Sequence, residues 1–516
     1  MAALYGSAAN VLEKVLHKKG TVKSLVIESE FANKKKLYAL VCETLKYRQV
    51  IEDIFEQTKF LKREKQLKHS FALVLVYELL FGHGLKCGGK FKQSIARNKS
   101  SLQSALARVK IKAKVSRNKD LLPKSVQTAG TIPRYARINT LLTTADKVIK
   151  HFQEESYHLV PSTDKRLYVE GSKIFAQDPH IPEVLVFPPS TDLHDHTLYI
   201  NGHILLQDKA SCLPAHVISP PPGAHVIDAC AAPGNKSSHL AAKLNNNGRV
   251  FSFDISASRL AVMQKQMKKA GATCVVTEHK SFLDVDPRSS QYRNVEYIVV
   301  DPSCSGSGII SRLDGLVSDE QEDDLQQRLE SLADFQLSVL THAFSFPAVK
   351  KVAYSTCSIH SQENEDVVHK ALKVSQGQFE LAHALESWPS RGLPVFQGAE
   401  KCLRASPESD HTNGFFVALF QRTECKGGST STKTQGGTKV ITEGLSGNIT
   451  ADACHKTKKA RKRKRNKKQE EGHGKDSDKQ GPIKMKCNDK QTTDKAKQNG
   501  KHKQRKKKKK CRSVVL

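Results

Sequence analysis

Acidic residues are scarce in this chain. It has 52 Asp and Glu against 83 Lys and Arg in 516 residues, a net charge of +31. That imbalance says nothing about fold, but it predicts a polyanionic partner, nucleic acid foremost. Paired C-x-x-C spacings are missing despite 12 cysteines, so no metal site is expected. No apolar run approaches the ~18 residues that span a bilayer, and no secretory leader is read at the start. No membrane partner is therefore expected, and most cysteines are expected as free thiols of a reduced compartment. G-x-G-x-x-G is absent, which removes the usual pyrophosphate cradle. Beyond Arg422 the apolar residues thin out, leaving 29 Lys and Arg against 9 Asp and Glu. Such a segment buries too little surface to offset its ordering entropy, so 423–516 is expected to be a disordered Lys-rich tail. Its blocks Lys458–Lys468 and Lys501–Lys510 read as a nuclear or nucleolar address and a non-specific RNA contact.

The remaining length suits two or three domains. Residues 1–125 read as a basic helical accessory domain. Val11, Leu12, Val15 and Leu16 recur at helical spacing, as do Val50, Ile51, Ile54 and Phe55. Phe71 to Phe81 is almost continuously apolar and predicts the central helix of a small bundle. From Lys86 to Lys124 Lys and Arg dominate, which suits either a solvated face or an RNA-docking surface. Residues 126–205 read as an α+β RNA-binding wing. It has an extended segment at Pro133–Leu141, a helix at Thr144–Phe152, and strands at Val184–Phe187 and Thr197–Ile200. Arg134 and Arg137 are its candidate phosphate contacts.

Residues 206–422 carry the densest signal. Four apolar runs read as buried strands: Ala224–Ile227, Arg249–Phe253, Val295–Val300 and Lys351–Tyr354. Helical stretches alternate with them, including one from about Asp319 to Phe346 and one whose first turn holds Glu363, Glu365 and Asp366. The alternation predicts an α/β domain, a Rossmann-like parallel sheet with helices on both faces. A final strand is expected at Gly414–Phe420. Ligands of such sheets sit beyond the carboxyl ends of the strands. The four runs end there in Asp228-Ala-Cys-Ala-Ala-Pro-Gly-Asn-Lys236, in Asp254, in Asp301-Pro-Ser-Cys304-Ser-Gly-Ser-Gly308 and in Ser355-Thr-Cys357-Ser358. The turn at Gly234 lets a ligand approach the backbone. Asp254, twenty residues on, has the spacing of a carboxylate that meets ribose hydroxyls. Together they suggest a nucleoside cofactor without a phosphate grip, as S-adenosylmethionine is.

Two cysteines beside a carboxylate suit methylation of a pyrimidine at carbon 5. That carbon becomes nucleophilic only after a thiolate has added to carbon 6. A carboxyl at N3 stabilises the adduct, and a base then removes the carbon-5 proton so that the thiol can leave. The residues leave the two cysteine roles open to exchange, because DNA cytosine-5 methyltransferases use the cysteine of the third run as nucleophile.

At this point the chain resembles the Nop/Sun (Fmu) RNA cytosine-5 methyltransferases. The resemblance rests on Pro133–Leu141, Gln207-Asp-Lys-Ala-Ser211, Asp228–Lys236, Asp254, Asp301–Gly306, Tyr354–Ser358 and Asn413-Gly-Phe-Phe416, and it spans roughly 132–422. Within the family it is most similar to the subgroup acting on large-subunit ribosomal RNA. The resemblance implies Cys357 as nucleophile and Cys304 as the releasing cysteine, with Asp301 and Lys236 on the base. It implies S-adenosylmethionine held by Cys230, Ala231, Ala232, Pro233, Gly234, Asn235, Lys236, Asp254, Arg259 and Asp301, and a nucleolar protein acting on ribosomal RNA or a pre-ribosome. The chain departs from the family's pattern in Ser303, where proline is usual, in Ser281 with Asp284 displaced, where an acid near the adenine is usual, and in having Arg312 alone after the third run. A ribosome-assembly factor whose catalysis is dispensable is the competing expectation.

Overall fold

The computed structural model describes residues 2–86, 88–310 and 322–423; the expected tail and Arg312 lie outside them. Its first elements are α1 (Ala2–Leu16), α2 (Val22–Glu28), α3 (Lys34–Lys46), α4 (Arg48–Thr58), α5 (Phe60–Arg63), α6 (His69–Leu80) and α7 (Gly89–Ala113). In α6 the consecutive residues Ala72 to Val76 all have 0% exposure. A helix apolar all round must be enclosed, and α1, α3, α4 and α7 surround it. On α7 one stripe is buried, Ser94, Ile95, Asn98, Leu102 and Ala105, while Lys92, Lys99 and Arg108 stay exposed. The junction expected near Leu122–Thr131 holds a short helix, α8 (Lys124–Ala129).

The next elements are β1 (Arg134–Ile138), α9 (Ala145–Glu154), β2 (His158–Leu159), β3 (Ile174–Gln177), β4 (Val184–Phe187), α10 (Thr197–Ile200) and β5 (Ile204–Leu206). The strands form one sheet in the order β2-β3-β4-β1-β5. Phe152, Phe175, Phe187 and Ile204 fill the space between sheet and helices. Thr197–Ile200, expected as a strand, is a helical turn. His196 Nδ1 accepts from Leu198 N at 3.2 Å, and this cap overrides the β propensity of Thr, Tyr and Ile.

From residue 209 the chain forms α11 (Lys209–Ile218), β6 (His225–Asp228), α12 (Asn235–Lys243), β7 (Arg249–Asp254), α13 (Ala257–Ala270), β8 (Val275–His279), β9 (Val295–Val300), α14 (Glu322–Phe344), β10 (Lys351–Thr356), α15 (Glu365–Val374), β11 (Phe379–Ala382), β12 (Leu403–Ala405), α16 (Pro407–Asp410) and β13 (Phe415–Arg422). The sheet order is β11-β13-β10-β9-β6-β7-β8, with β12 added on β13. The five strands β10, β9, β6, β7 and β8 are parallel, and β13 enters antiparallel beside β10. Side chains alternate between two cores. Val226, Val250, Val299 and Ala353 meet α11–α13, whereas Ile227, Phe251, Phe253, Val300 and Val352 meet α14 and α15. Sequence order runs outward from β6 through β7 to β8, then restarts at β9 on the other side. The crevice between β6 and β9 is therefore the switch point at which such sheets bind ligands.

Candidate active site

The turn after β6 is built around Gly234, whose φ of +106° lies in the left-handed region. A Cβ there would stand 2.7 Å from Met267 and 2.9 Å from Met263, so only glycine suits the position. Asp254, at the end of β7, holds this turn in shape. Its carboxylate accepts from Ala232 N at 3.2 Å and from Ser256 N at 2.9 Å. Arg259 lies 3.2 Å from Asp254 and donates to the Ala232 carbonyl as well. With Arg259 committed in this way, the rim offers a glycine turn and carboxylates rather than a phosphate grip. That donor set fits S-adenosylmethionine, which has ribose hydroxyls and a positive sulfur but no phosphate. Residues Cys230 to Lys236, Asp254 and Asp301 would hold it.

Asp301, just after β9, accepts from Lys236 Nζ at 2.6 Å on one oxygen and from Ser355 Oγ at 2.6 Å on the other. Burial disfavours the ammonium of Lys236, but the Asp301 carboxylate outweighs it and raises the lysine above its ordinary value. Lys236 also lies over the Phe415 ring, 5.6 Å from its centroid. Beneath them Asp228 is fully buried. Its Oδ2 accepts from Ser237 Oγ at 2.6 Å and its Oδ1 has no partner. Burial pushes the Asp228 carboxyl up to about 6.

The sulfurs of Cys304 and Cys357 lie 3.1 Å apart, both partly exposed. The hydrogen bond with Cys357, then burial, pushes the Cys304 thiol well above its ordinary value, so Cys304 holds its proton. The two loops are locked to each other. Gly308 N donates to the Cys357 carbonyl at 2.9 Å, and Gly414 N to the Gly308 carbonyl at 2.8 Å. Behind them stands a buried clamp that the sequence did not disclose. Glu363 Oε1 accepts from Ser305 N at 2.8 Å and from Gln336 Nε2 at 2.9 Å, and Gln336 also donates to the Ser303 carbonyl at 3.1 Å. Tyr354 OH donates to the Glu363 carbonyl at 2.5 Å. Gln336 comes from α14 and Glu363 from the turn before α15, so both helices fix the Cys304 loop. Glu363 is expected to serve a helix dipole but serves this clamp, with 0% exposure. Glu365 is likewise buried and bound by Arg404 at 2.7 Å.

Of the sequence-identified residues, Lys236 pairs with Asp301 and Cys304 with Cys357, and Ser355, two residues before Cys357, joins the two pairs through Asp301. Cys230 to Asn235 form the adjoining turn, which Asp254 and Arg259 hold through the Ala232 backbone. Arg137 corrects the expectation of a phosphate contact, because it is fully buried and bonds Gln207 Oε1 and Ser238 Oγ, each at 2.8 Å. It ties β1 to the helix that carries Lys236. Glu183 makes the same seam with His239 at 2.9 Å and Lys243 at 2.6 Å. Arg134, on the opposite face of β1, stays half-exposed. Cys212 is buried and its thiol pushed up to about 12 by burial, as is that of Cys230. Ser281 caps a short turn and Asp284 is exposed. His151, Glu155 and His196 cluster in the wing. His196 Nδ1 caps α10, so its Nε2 carries the proton and donates to Glu155 at 2.9 Å, which is a structural use.

Three family profiles match in succession. They are the N-terminal domain of NOL1/NOP2/Sun domain family member 5 over 35–122, its ferredoxin-like domain over 132–207, and the 16S rRNA methyltransferase RsmB/F profile over 215–421. A mouse (Mus musculus) 28S rRNA (cytosine-C(5))-methyltransferase is 48% identical over 426 residues, covering 82% of this chain and 91% of its own. The Schizosaccharomyces pombe 25S rRNA (cytosine-C(5))-methyltransferase rcm1 is 38% identical over 427 residues, covering 80% and 90%. The crystal structure of PH0851 shares the fold, with a TM-score of 0.57 at 19% identity, over 81% of this chain and 99% of that one. A chain matched along this length by relatives of that identity belongs to the NOL1/NOP2/Sun family of S-adenosylmethionine-dependent RNA methyltransferases.

Proposed function

We propose that this protein methylates carbon 5 of a cytosine in large-subunit ribosomal RNA through a covalent adduct with Cys357. The observation that carries the reading is the pair of sulfurs 3.1 Å apart beside the Lys236–Asp301 pair. Methylation of an amine or oxygen needs neither thiol, so the pair selects carbon-5 chemistry. The names of the mouse and fission-yeast relatives support the substrate class.

S-adenosylmethionine supplies an electrophilic methyl group. Cys357, as thiolate, adds to carbon 6 of the cytosine, and the electron pair of the 5,6 double bond moves toward N3. Lys236, held by the Asp301 carboxylate, donates the hydrogen bond that receives that charge, and Ser355 holds the carboxylate in place. Carbon 5 then takes the methyl group and must lose its proton. Cys304 is the acceptor in this reading, and its contact with Cys357 supports an order of events. The hydrogen bond with Cys357 is the first cause of the raised Cys304 thiol. Once Cys357 sulfur carries a carbon bond that cause is gone, and Cys304, which is partly exposed, gives its own proton to water and stands as thiolate. It removes the proton, the electron pair restores the double bond, and Cys357 leaves as thiolate. Arg134 and the basic stretches meet the RNA backbone, and the Lys-rich blocks after residue 423 carry a nucleolar address.

The test is a denaturing gel of four proteins incubated with S-adenosylmethionine and total RNA: wild type, Cys304→Ala, Cys357→Ala and the double variant. A slow, RNase-sensitive band is expected for Cys304→Ala alone. A band for Cys357→Ala instead would exchange the two roles. RNA binding with no band and no methyl transfer in any protein would favour the assembly-factor reading.

A further inference from the structure

A second pocket, of 320 Å³, opens where the wing meets the catalytic domain, lined by Arg134, Tyr135, Pro189, Gln207, Asp208 and Asn413 among others. Its volume is at the lower end of pockets that enclose a small ligand (~300 Å³). Almost every polar group in its wall is already committed. Gln207 accepts from Arg137 at 2.8 Å and donates to the Ser211 carbonyl at 3.0 Å. Asp208 accepts from Thr412 Oγ1 at 2.5 Å, Asn413 Nδ2 at 2.7 Å and Ala210 N at 3.0 Å. Asn413 Oδ1 accepts from Ile310 N at 3.3 Å, Ser190 donates to Glu170 at 2.7 Å, and Tyr135 OH donates to the His411 carbonyl at 2.9 Å. Arg134 differs. Its Nε is buried with no hydrogen-bond partner, and it makes no ion pair among the described residues. Asp208, the carboxylate of the same wall, is held by three protein donors, and the guanidinium without a partner is the group left for an anion from outside.

The pocket also adjoins the chemistry. Its Asn413 wall precedes Gly414, which bonds Gly308, which bonds the Cys357 carbonyl. We infer that this pocket is a subsite for one nucleotide flanking the target cytosine, held by its phosphate on Arg134. The inference rests on the proposed RNA substrate. Because Gln207, Asp208 and Asn413 are committed to the protein, the subsite takes any base; it positions the strand and does not read it. Pro133, Tyr135 and Pro189 supply its apolar walls.

The test pairs the protein with the shortest synthetic RNA, from a set tiled across large-subunit ribosomal RNA, that wild type methylates. Each of the three phosphates on either side of the target is replaced in turn by an uncharged methylphosphonate. Affinity and single-turnover methylation are measured with wild type, Arg134→Gln and Arg134→Lys, and thermal melts confirm the fold. Arg134→Gln is expected to weaken binding roughly tenfold, as for one charge-assisted contact. One methylphosphonate should weaken wild type equally and Arg134→Gln no further, while changing the base on that nucleotide leaves affinity unchanged. Arg134→Lys should recover part of the loss. Losses that multiply at every phosphate, or an Arg134→Gln protein that binds as wild type, would overturn the subsite while leaving the methyltransferase intact. Failure of wild type to methylate any RNA of the set would instead overturn the proposed function, and the subsite with it.

Discussion

Asp228 shows what the cleft demands of one residue. It ends β6 under Lys236 with one oxygen unpartnered, and burial pushes its carboxyl up to about 6. The ordinary value is about 3.9. A carboxyl raised on folding favours the folded state when protonated. Its contribution is fully present below about pH 4 and is lost as pH rises through about 6. Asn in its place has no proton to lose. The stability of wild type relative to Asp228→Asn should therefore fall by up to about 3 kcal/mol between pH 4 and pH 7, two units at ~1.4 kcal/mol each. Urea unfolding of both proteins across that range measures the difference directly, and a difference independent of pH would show that Asp228 ionises as freely folded as unfolded.

At the scale of elements, the active site is two loops pressed backbone to backbone. A Cβ on Gly308 would stand 2.2 Å from the Gly414 carbonyl oxygen, which backbone cannot yield without moving. Gly308→Ala should push the third-run loop off the Asn413–Phe416 run and shift Cys304 against Cys357. A misplacement of ~1 Å costs on the order of 100-fold in rate, so single-turnover methylation should collapse while folding stability, measured by urea unfolding, falls by only about 1–3 kcal/mol. Undiminished turnover would mean that the loop contact does not set the sulfur geometry. The strands that carry these loops were legible because short apolar runs, as of strands buried on both faces, ended in motifs of Asp, Cys and Gly. Val295–Val300 is found as expected, and β6, β7 and β10 run only one or two residues further. Thr197–Ile200 misled because a side-chain cap, not propensity, decides so short an element. Gln336 and Glu363 were hidden for a different reason. A polar residue on a helix reads as solvated, and only the three-dimensional meeting of α14, the turn before α15 and the Cys304 loop reveals that it is enclosed. Arg137 was misread likewise: a strand arginine reads as a phosphate contact until Ser238, a hundred residues on, is seen to receive it.

At the scale of the whole molecule, charge is divided between residues 1–422 and the Lys-rich residues 423–516. Of the net +31, about twenty charges lie after Arg422, and within the fold α7 lies in a stretch, 79–119, that has no Asp or Glu. Both are candidates for the bulk of RNA affinity, and salt separates them. Each phosphate neutralised adds about 0.7–0.9 to the slope of log affinity against log salt. If the tail carries the affinity, removal of 424–516 should cut that slope by several units and weaken binding at low salt far more than at high salt. Methylation of a short saturating RNA should be unchanged, because no residue of the cleft is removed. Arg134→Gln should do the reverse, lowering the slope by about one and the yield of positioned substrate by much more. A truncated protein that keeps the full slope would assign the phosphate contacts to the basic face of α7. That outcome would make the helical domain, rather than the tail, the surface that brings RNA to Cys357.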